Sequence, residues 1–187
     1  MSLQISIDLS DSDLQFFVDA AKRAQQKAAN LSEEQITSAA SKVLVESAQT
    51  SVPEFIRERL GKLESMINMV KDAGWALSDD DRKRVVQALT YFAEPDDVIP
   101  DNVPVLGFLD DAIMIDVVGT VLKPEIEAYA DFCAFREQEA ARRGADAGTL
   151  GREEWLEGRR AELQARMRQR RSSYAPSSDW TPRFKFS

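Results

Sequence analysis

GFLDDAIMIDVVGTVL, residues 107–122, decides the fold. Apart from Asp110, Asp111 and Asp116 it is apolar nearly all round, not along a single stripe. A helix of that kind belongs in the middle of a core or in a membrane. A spanning helix needs about 20 apolar residues, and a central Asp costs about 2.5–3.5 kcal/mol on insertion scales. The wider apolar window, 98–122, is broken by Asp101, Asp110, Asp111 and Asp116. The stretch is therefore predicted to be the buried central helix of a helical bundle, with no transmembrane segment in the chain.

Working outward from it, the neighbours read as helices too. Upstream, Ser78-Asp79-Asp80-Asp81 is an N-cap with acids at the positive end of the helix dipole. Val85, Val86, Leu89, Phe92 and Ala93 follow on one face, and Pro95 ends the helix near Glu94. Before that, Pro53 opens a helix in which Ile56, Leu60, Leu63, Ile67 and Val70 fall at steps of 4, 3, 4 and 3. Over so short a length this seam is expected to face the core. Ser32-Glu33-Glu34-Gln35 is a capping box, and Ser10–Asp13 caps the first helix. Downstream, Pro124 kinks or restarts the central helix. Ile126, Tyr129, Ala130, Cys133 and Ala140 then continue a helical stripe to about Arg143.

RRGADAGTLG reads as a linker. Beyond it lies a basic, weakly amphipathic helix and then a tail, SSYAPSSDWTPRFKFS, expected to be disordered in isolation. LQISI and RFKF are the only strand-like runs, both very short. The expected organisation is a helical domain over 1–143, a basic helix over 144–171 and a disordered tail over 172–187. The fold class is all-α: a mostly antiparallel bundle of five to six helices around a buried central helix, with a mobile C-terminal tail.

With 187 residues the chain can bury a core without metals or disulfides, and its 8 Gly and 7 Pro leave room for helix. It has no histidine and one cysteine, Cys133. That removes Ser-His-Asp and Cys-His nucleophilic sites and His- or thiolate-ligated transition metals. No catalytic constellation is recognised, so the reading leans away from an enzyme. Any protein-held metal would be a hard, oxygen-ligated ion such as Mg²⁺, Ca²⁺ or Mn²⁺. The N-terminus lacks the basic and apolar regions of a signal peptide, and the lone cysteine fits a reducing compartment; the expected location is cytoplasmic.

Charge is uneven. The formal net charge is −8, yet residues 73–142 hold 15 acids against 6 bases, and residues 143–187 hold 10 bases against 6 acids. From Val85 to Leu122 there are seven acids and no basic residue. Three readings of the acidic, proline-rich stretch 94–111 stay open. Its acids cap helices and turns. Alternatively, Asp97, Asp101, Asp110 and Asp111 hold Mg²⁺ or Ca²⁺, although the spacing is not that of an EF-hand. In the third reading it is a docking face for a basic protein partner or for this chain's own Arg-rich helix. The candidates there are Glu94, Asp96 and Asp116 on the acidic side, and Arg159, Arg160, Arg166, Arg170 and Arg171 on the basic side. Asp116, inside the apolar helix, is expected at a solvated edge or paired with Arg82 or Arg84.

Arginines and aromatics at the C-terminus suit nucleic acid, but the acidic balance argues against it. A membrane surface fits the Arg/Trp mix of the basic helix despite its thin apolar stripe. Self-association is a further expected mode.

Tyr91-Phe92, Pro95-x-Asp97-x-Ile99-Pro100-Asp101 and Pro104-x-x-Gly107-x-x-Asp110-Asp111 resemble the YkvA family, a bacterial domain of unknown function. The likeness covers about residues 82–120. Pro53-x-Phe55, Trp75-x-Leu77 and Glu127-Ala128-Tyr129-x-Asp131-Phe132-Cys133 are similar to a longer helical form from proteobacteria. The resemblance implies a small helical domain and, in many relatives, a neighbouring membrane segment, so a place peripheral to the inner membrane is a further expectation. It implies no activity and no catalytic residues. The leading functional expectation is a non-catalytic interaction or scaffold module presenting the acidic turn. The alternatives are a divalent-metal-binding protein or carboxylate-based metal enzyme, and a peripheral membrane protein.

Overall fold

Local capping chemistry sets where the helices begin. The structure is a computed structural model that describes residues 10–93, 107–147 and 154–173. Helix α1 (Asp11–Lys27) starts at a reciprocal capping box between Ser10 and Asp13, and α2 (Glu33–Ala48) at the same device between Ser32 and Gln35. Pro53 precedes α3 (Glu54–Lys71), and Ser78 caps α4 (Asp79–Leu89), which tightens into a 3₁₀ turn over Thr90–Ala93. Then come α5 (Leu109–Val121) and α6 (Lys123–Arg143), separated by a break at Leu122 with Pro124 in the first turn of α6. Proline has no N–H to leave unbonded there, so it restarts a helix without cost. Gly144, at φ 65°, ends α6 in the left-handed conformation that glycine adopts freely. The last described helix is α7 (Glu154–Ser173).

The protein is an all-α bundle, with seven α-helices and no strand among the described residues. LQISI, RFKF and residues 174–187 lie outside those residues; residues 172–173, expected in the tail, are instead the end of α7. In α5 every residue from Asp110 to Val118 is buried, as its all-round apolar pattern predicts. The 4-3-4-3 seam of α3 is core: Ile56, Leu60, Leu63, Ile67 and Val70 are all buried. Asp116 of α5 meets Arg59 and Lys62 of α3, while Tyr129 and Arg136 of α6 meet Asp72 just past the end of α3. The α5–α6 run therefore follows α3 in the same direction.

Helix α7 packs along α6 and adds Leu156, Leu163 and Met167 to the same core, which thus extends past residue 143. Its polar inner face also holds the 72–77 turn. Arg160 Nη1 donates to the Gly74 carbonyl (2.8 Å), and Gln164 Nε2 to the Trp75 carbonyl (2.7 Å). Trp75 is fully buried against Tyr129 and Phe132, at centroid distances of 5.8 and 5.1 Å.

Candidate functional site

Of the four carboxylates expected to hold a cation, Asp110 and Asp111 lie in the first turn of α5 with relative exposures of 2% and 7%. Asp97 and Asp101 lie outside the described residues, as do Glu94 and Asp96. Among the described residues no group of three or more His, Cys, Asp or Glu side chains is placed to hold a metal ion.

Asp116 corrects the expectation of a solvated edge. It is 8% exposed, and its partners are neither Arg82 nor Arg84. Arg59 Nε donates to Oδ2 (2.6 Å) and Lys62 Nζ to Oδ1 (2.8 Å), both from α3. Arg82 is directed to Glu33 and the Val70 carbonyl instead, and Arg84 to Glu125 and the Val121 carbonyl. A carboxylate in the middle of an apolar helix is tolerated because two cations from the neighbouring helix meet it.

The arginines of α7 are placed against acids of α4, α6 and α7 itself. Arg166 pairs with Asp131 (2.5 Å) and Arg170 with Glu127 (2.6 Å), both in exposed settings. Arg159 pairs with Glu162 one turn on, and Arg160 with Glu157. Arg171 is different. Its Nη2 lies 2.8 Å from Asp81 Oδ1 and 2.9 Å from Glu125 Oε1. Arg168 Nη1 adds a contact to Asp81 Oδ2 at 3.1 Å, where Ser78 Oγ also donates at 2.8 Å. Arg84 Nε reaches Glu125 Oε1 at 2.9 Å.

Burial alone would push the Asp81 carboxyl up. Hydrogen bonds from Ser78 and Arg171, the charge of Arg171 and a hydrogen bond from Arg168 outweigh burial and hold it below its ordinary value. From sequence Asp81 reads only as an acid in a first helical turn. Ser78-x-x-Asp81 and Pro124-Glu125 carried a signal for helix starts, and none for the arginines that meet them.

A second polar knot fastens the turn after α3. Asp72 accepts from the Gly74 and Trp75 amides (2.8 and 3.1 Å), from Tyr129 Oη (3.1 Å) and from Arg136 (2.9 Å). Burial pushes the Tyr129 phenol far above its ordinary value, and the neighbouring Cys133 and Asp72 push it further. Burial likewise pushes the Cys133 thiol up, which leaves it a weak nucleophile. No helix among the described residues is long and apolar enough to cross a membrane.

Fold and buried ion pairs together define a small all-α protein whose internal charges tie helix to helix. Residues 83–115 match the family model described as "Protein of unknown function (DUF1232)". The chain is also 32% identical over 73 residues to the "Uncharacterized membrane protein YkvA" of Bacillus subtilis (strain 168), covering 36% of this chain and 67% of that protein. The chain belongs to this family of uncharacterised proteins. No solved structure matches it.

Proposed function

We propose that the protein is a non-catalytic helical interaction module whose acidic, proline-rich segment 94–111 receives a basic partner. One observation carries the reading. The arginines that lie nearest before the acidic stretch in the chain are committed elsewhere: Arg82 to Glu33 and Arg84 to Glu125. The arginines of α7 from Arg166 onward likewise have partners on α4 and α6. From Val85 to Leu122 the chain supplies no cation of its own. Asp110 and Asp111 are buried, so the segment's contact with a partner falls to Glu94, Asp96, Asp97 and Asp101. The test is titration of a fluorescent oligoarginine peptide into wild type and into Asp96→Asn/Asp97→Asn/Asp101→Asn. Salt-sensitive binding that is lost in the triple variant supports the reading. Equal binding by both, with equal melting temperatures, sinks it.

A second reading, attachment to a membrane surface, is favoured by the name of the Bacillus subtilis relative, which is called a membrane protein. It needs a surface other than the inner stripe of α7, whose apolar residues Leu156, Leu163 and Met167 are buried in the core. Sedimentation with anionic vesicles distinguishes it from the first.

A further inference from the structure

Two carboxylates that the fold buries almost completely, Asp81 (1% exposed) and Glu125 (0%), converge on a single guanidinium group. Arg171 Nη2 reaches both, and the two other cations on these acids, Arg84 and Arg168, are arginines as well. No lysine takes part in these pairs. The guanidinium is planar and weakly hydrated, whereas an ammonium is compact and strongly hydrated and loses more on burial. Glu125 Oε2 and Arg171 Nε are buried too, with no hydrogen-bond partner among the described residues. The ion pair thus keeps a spare acceptor and a spare donor of the kind that a two-bond, side-on arginine–carboxylate contact uses.

The position of the two acids matters as much as their burial. The family match covers residues 83–115. Asp81 stands just before it and Glu125 shortly after it, while α7 comes from well beyond. Elsewhere on α7 the cross-helix pairs Arg166–Asp131 and Arg170–Glu127 are exposed at 42–56%. Such exposed pairs contribute little, because water and salt screen them. Asp81 and Glu125 are far more buried, and losing Arg171 would leave each with a single arginine, Arg168 on Asp81 and Arg84 on Glu125. Of the arginines on α7 that reach the other helices, Arg171 therefore fastens α7 where Arg166 and Arg170 only decorate it.

We propose that the corner between α4 and α6 is an arginine-recognition site, formed by the buried carboxylates of Asp81 and Glu125, which α7 of the same chain occupies through Arg171. The ligand class is a guanidinium, and the site discriminates against an ammonium. Beyond the apolar packing of Leu156, Leu163 and Met167, its specificity, not the summed basic charge of α7, fixes the C-terminal end of that helix. The site does not depend on whether segment 94–111 binds a partner.

The test uses the full chain. Arg171→Lys keeps the charge and is expected to lower the melting temperature by about 5–10 °C, whereas Arg170→Lys moves it by less than about 2 °C. Arg171→Ala opens the site, so about 10 mM methylguanidinium is expected to raise the melting temperature of that variant while the same methylammonium concentration does not. Wild type, with the site filled, responds to neither. If Arg171→Ala does not fold, the two lysine variants decide. An Arg171→Lys protein that does not fold beside a folded Arg170→Lys supports the site. Equal melting of the two lysine variants, or equal rescue by the two cations, overturns it.

Discussion

Arg59 Nε lies 2.6 Å from Asp116 Oδ2, an ion pair set between α3 and the buried helix α5. The partners are 15% and 9% exposed at their side chains, while Lys62, on the other oxygen, is 48% exposed. The two cations should therefore contribute unequally. Arg59→Ala is expected to cost about 3 kcal/mol, because it strands most of a buried charge. Lys62→Ala should cost less than about 1 kcal/mol. Urea unfolding of the two variants checks this, and equal losses would refute the asymmetry.

Much of the bundle was legible because helix starts are local. Ser32 with Gln35 announces a capping box within four residues and Ser10–Asp13 an N-cap; both are present, and Asp13 closes the first into a reciprocal box as well. The ion pairs were not legible. Asp116 and Arg59 are 57 residues apart, and Arg171 and Asp81 are 90 apart. Nothing in a local pattern says which of several arginines a carboxylate meets. Helix α7 looked weakly amphipathic because its inner face carries Arg160 and Gln164, which bind backbone carbonyls instead of packing apolar surface. The 7- and 4-residue steps from Leu156 to Leu163 to Met167 were the signal that could have placed it in the core. The reading of segment 94–106 as an ion site or docking face falls outside the described residues.

Asp81 gives the protein an acid limb. An unfolded Asp titrates near about 3.9, and the folded carboxyl is held below that value. In the range between the two values the unfolded chain takes up a proton that the folded chain does not. The stabilisation is therefore complete above the unfolded value and is lost as pH falls through the folded one. Asp81→Asn should be less stable than wild type at pH 7, and the gap should narrow below about pH 4. Melting curves of both proteins from neutral pH downward measure it; a gap that does not change with pH would contradict the assignment.

Tyr129 should be silent in an alkaline titration of the folded protein. Its phenol is pushed up by burial and by Cys133 and Asp72, so phenolate absorbance below the unfolding pH must come from other tyrosines. An unfolded tyrosine ionises near about 10, so above that pH the unfolded chain releases a proton that the folded chain keeps. Stability contributed by the neutral phenol is present below that pH and falls as pH rises. Tyr129→Phe should leave the native titration unchanged and cost about 1–2 kcal/mol, through its lost bond to the Asp72 carboxylate. Disappearance of a native phenolate signal in that variant would count against the assignment.

Ala76 sits at φ 48°, in the left-handed region, within the turn that α7 holds. An L-residue pays roughly 1–2 kcal/mol for that conformation, and glycine does not. Ala76→Gly loses part of the gain through the greater entropy of the unfolded glycine. A net rise in melting temperature of about 1–3 °C is expected. A fall would show that the alanine methyl contributes packing that outweighs the backbone strain.

Helix α7 should unfold with the rest of the bundle, because Leu163 is fully buried and belongs to the same core as Leu63, Trp75 and Phe132. Leu163→Ala removes methyl and methylene groups from packed surroundings and should cost about 2–5 kcal/mol. A helix held only by exposed ion pairs would fray alone, and its amides would exchange fast while α6 stayed protected. A helix inside the cooperative unit behaves otherwise. Its amides and those of α6 around Phe132 should lose protection together in the variant, and one transition should be seen by both circular dichroism and tryptophan fluorescence. Fast exchange confined to α7 in the wild-type protein would place the helix outside the core and leave Asp81 without its arginines, and Glu125 with Arg84 alone, for much of the time.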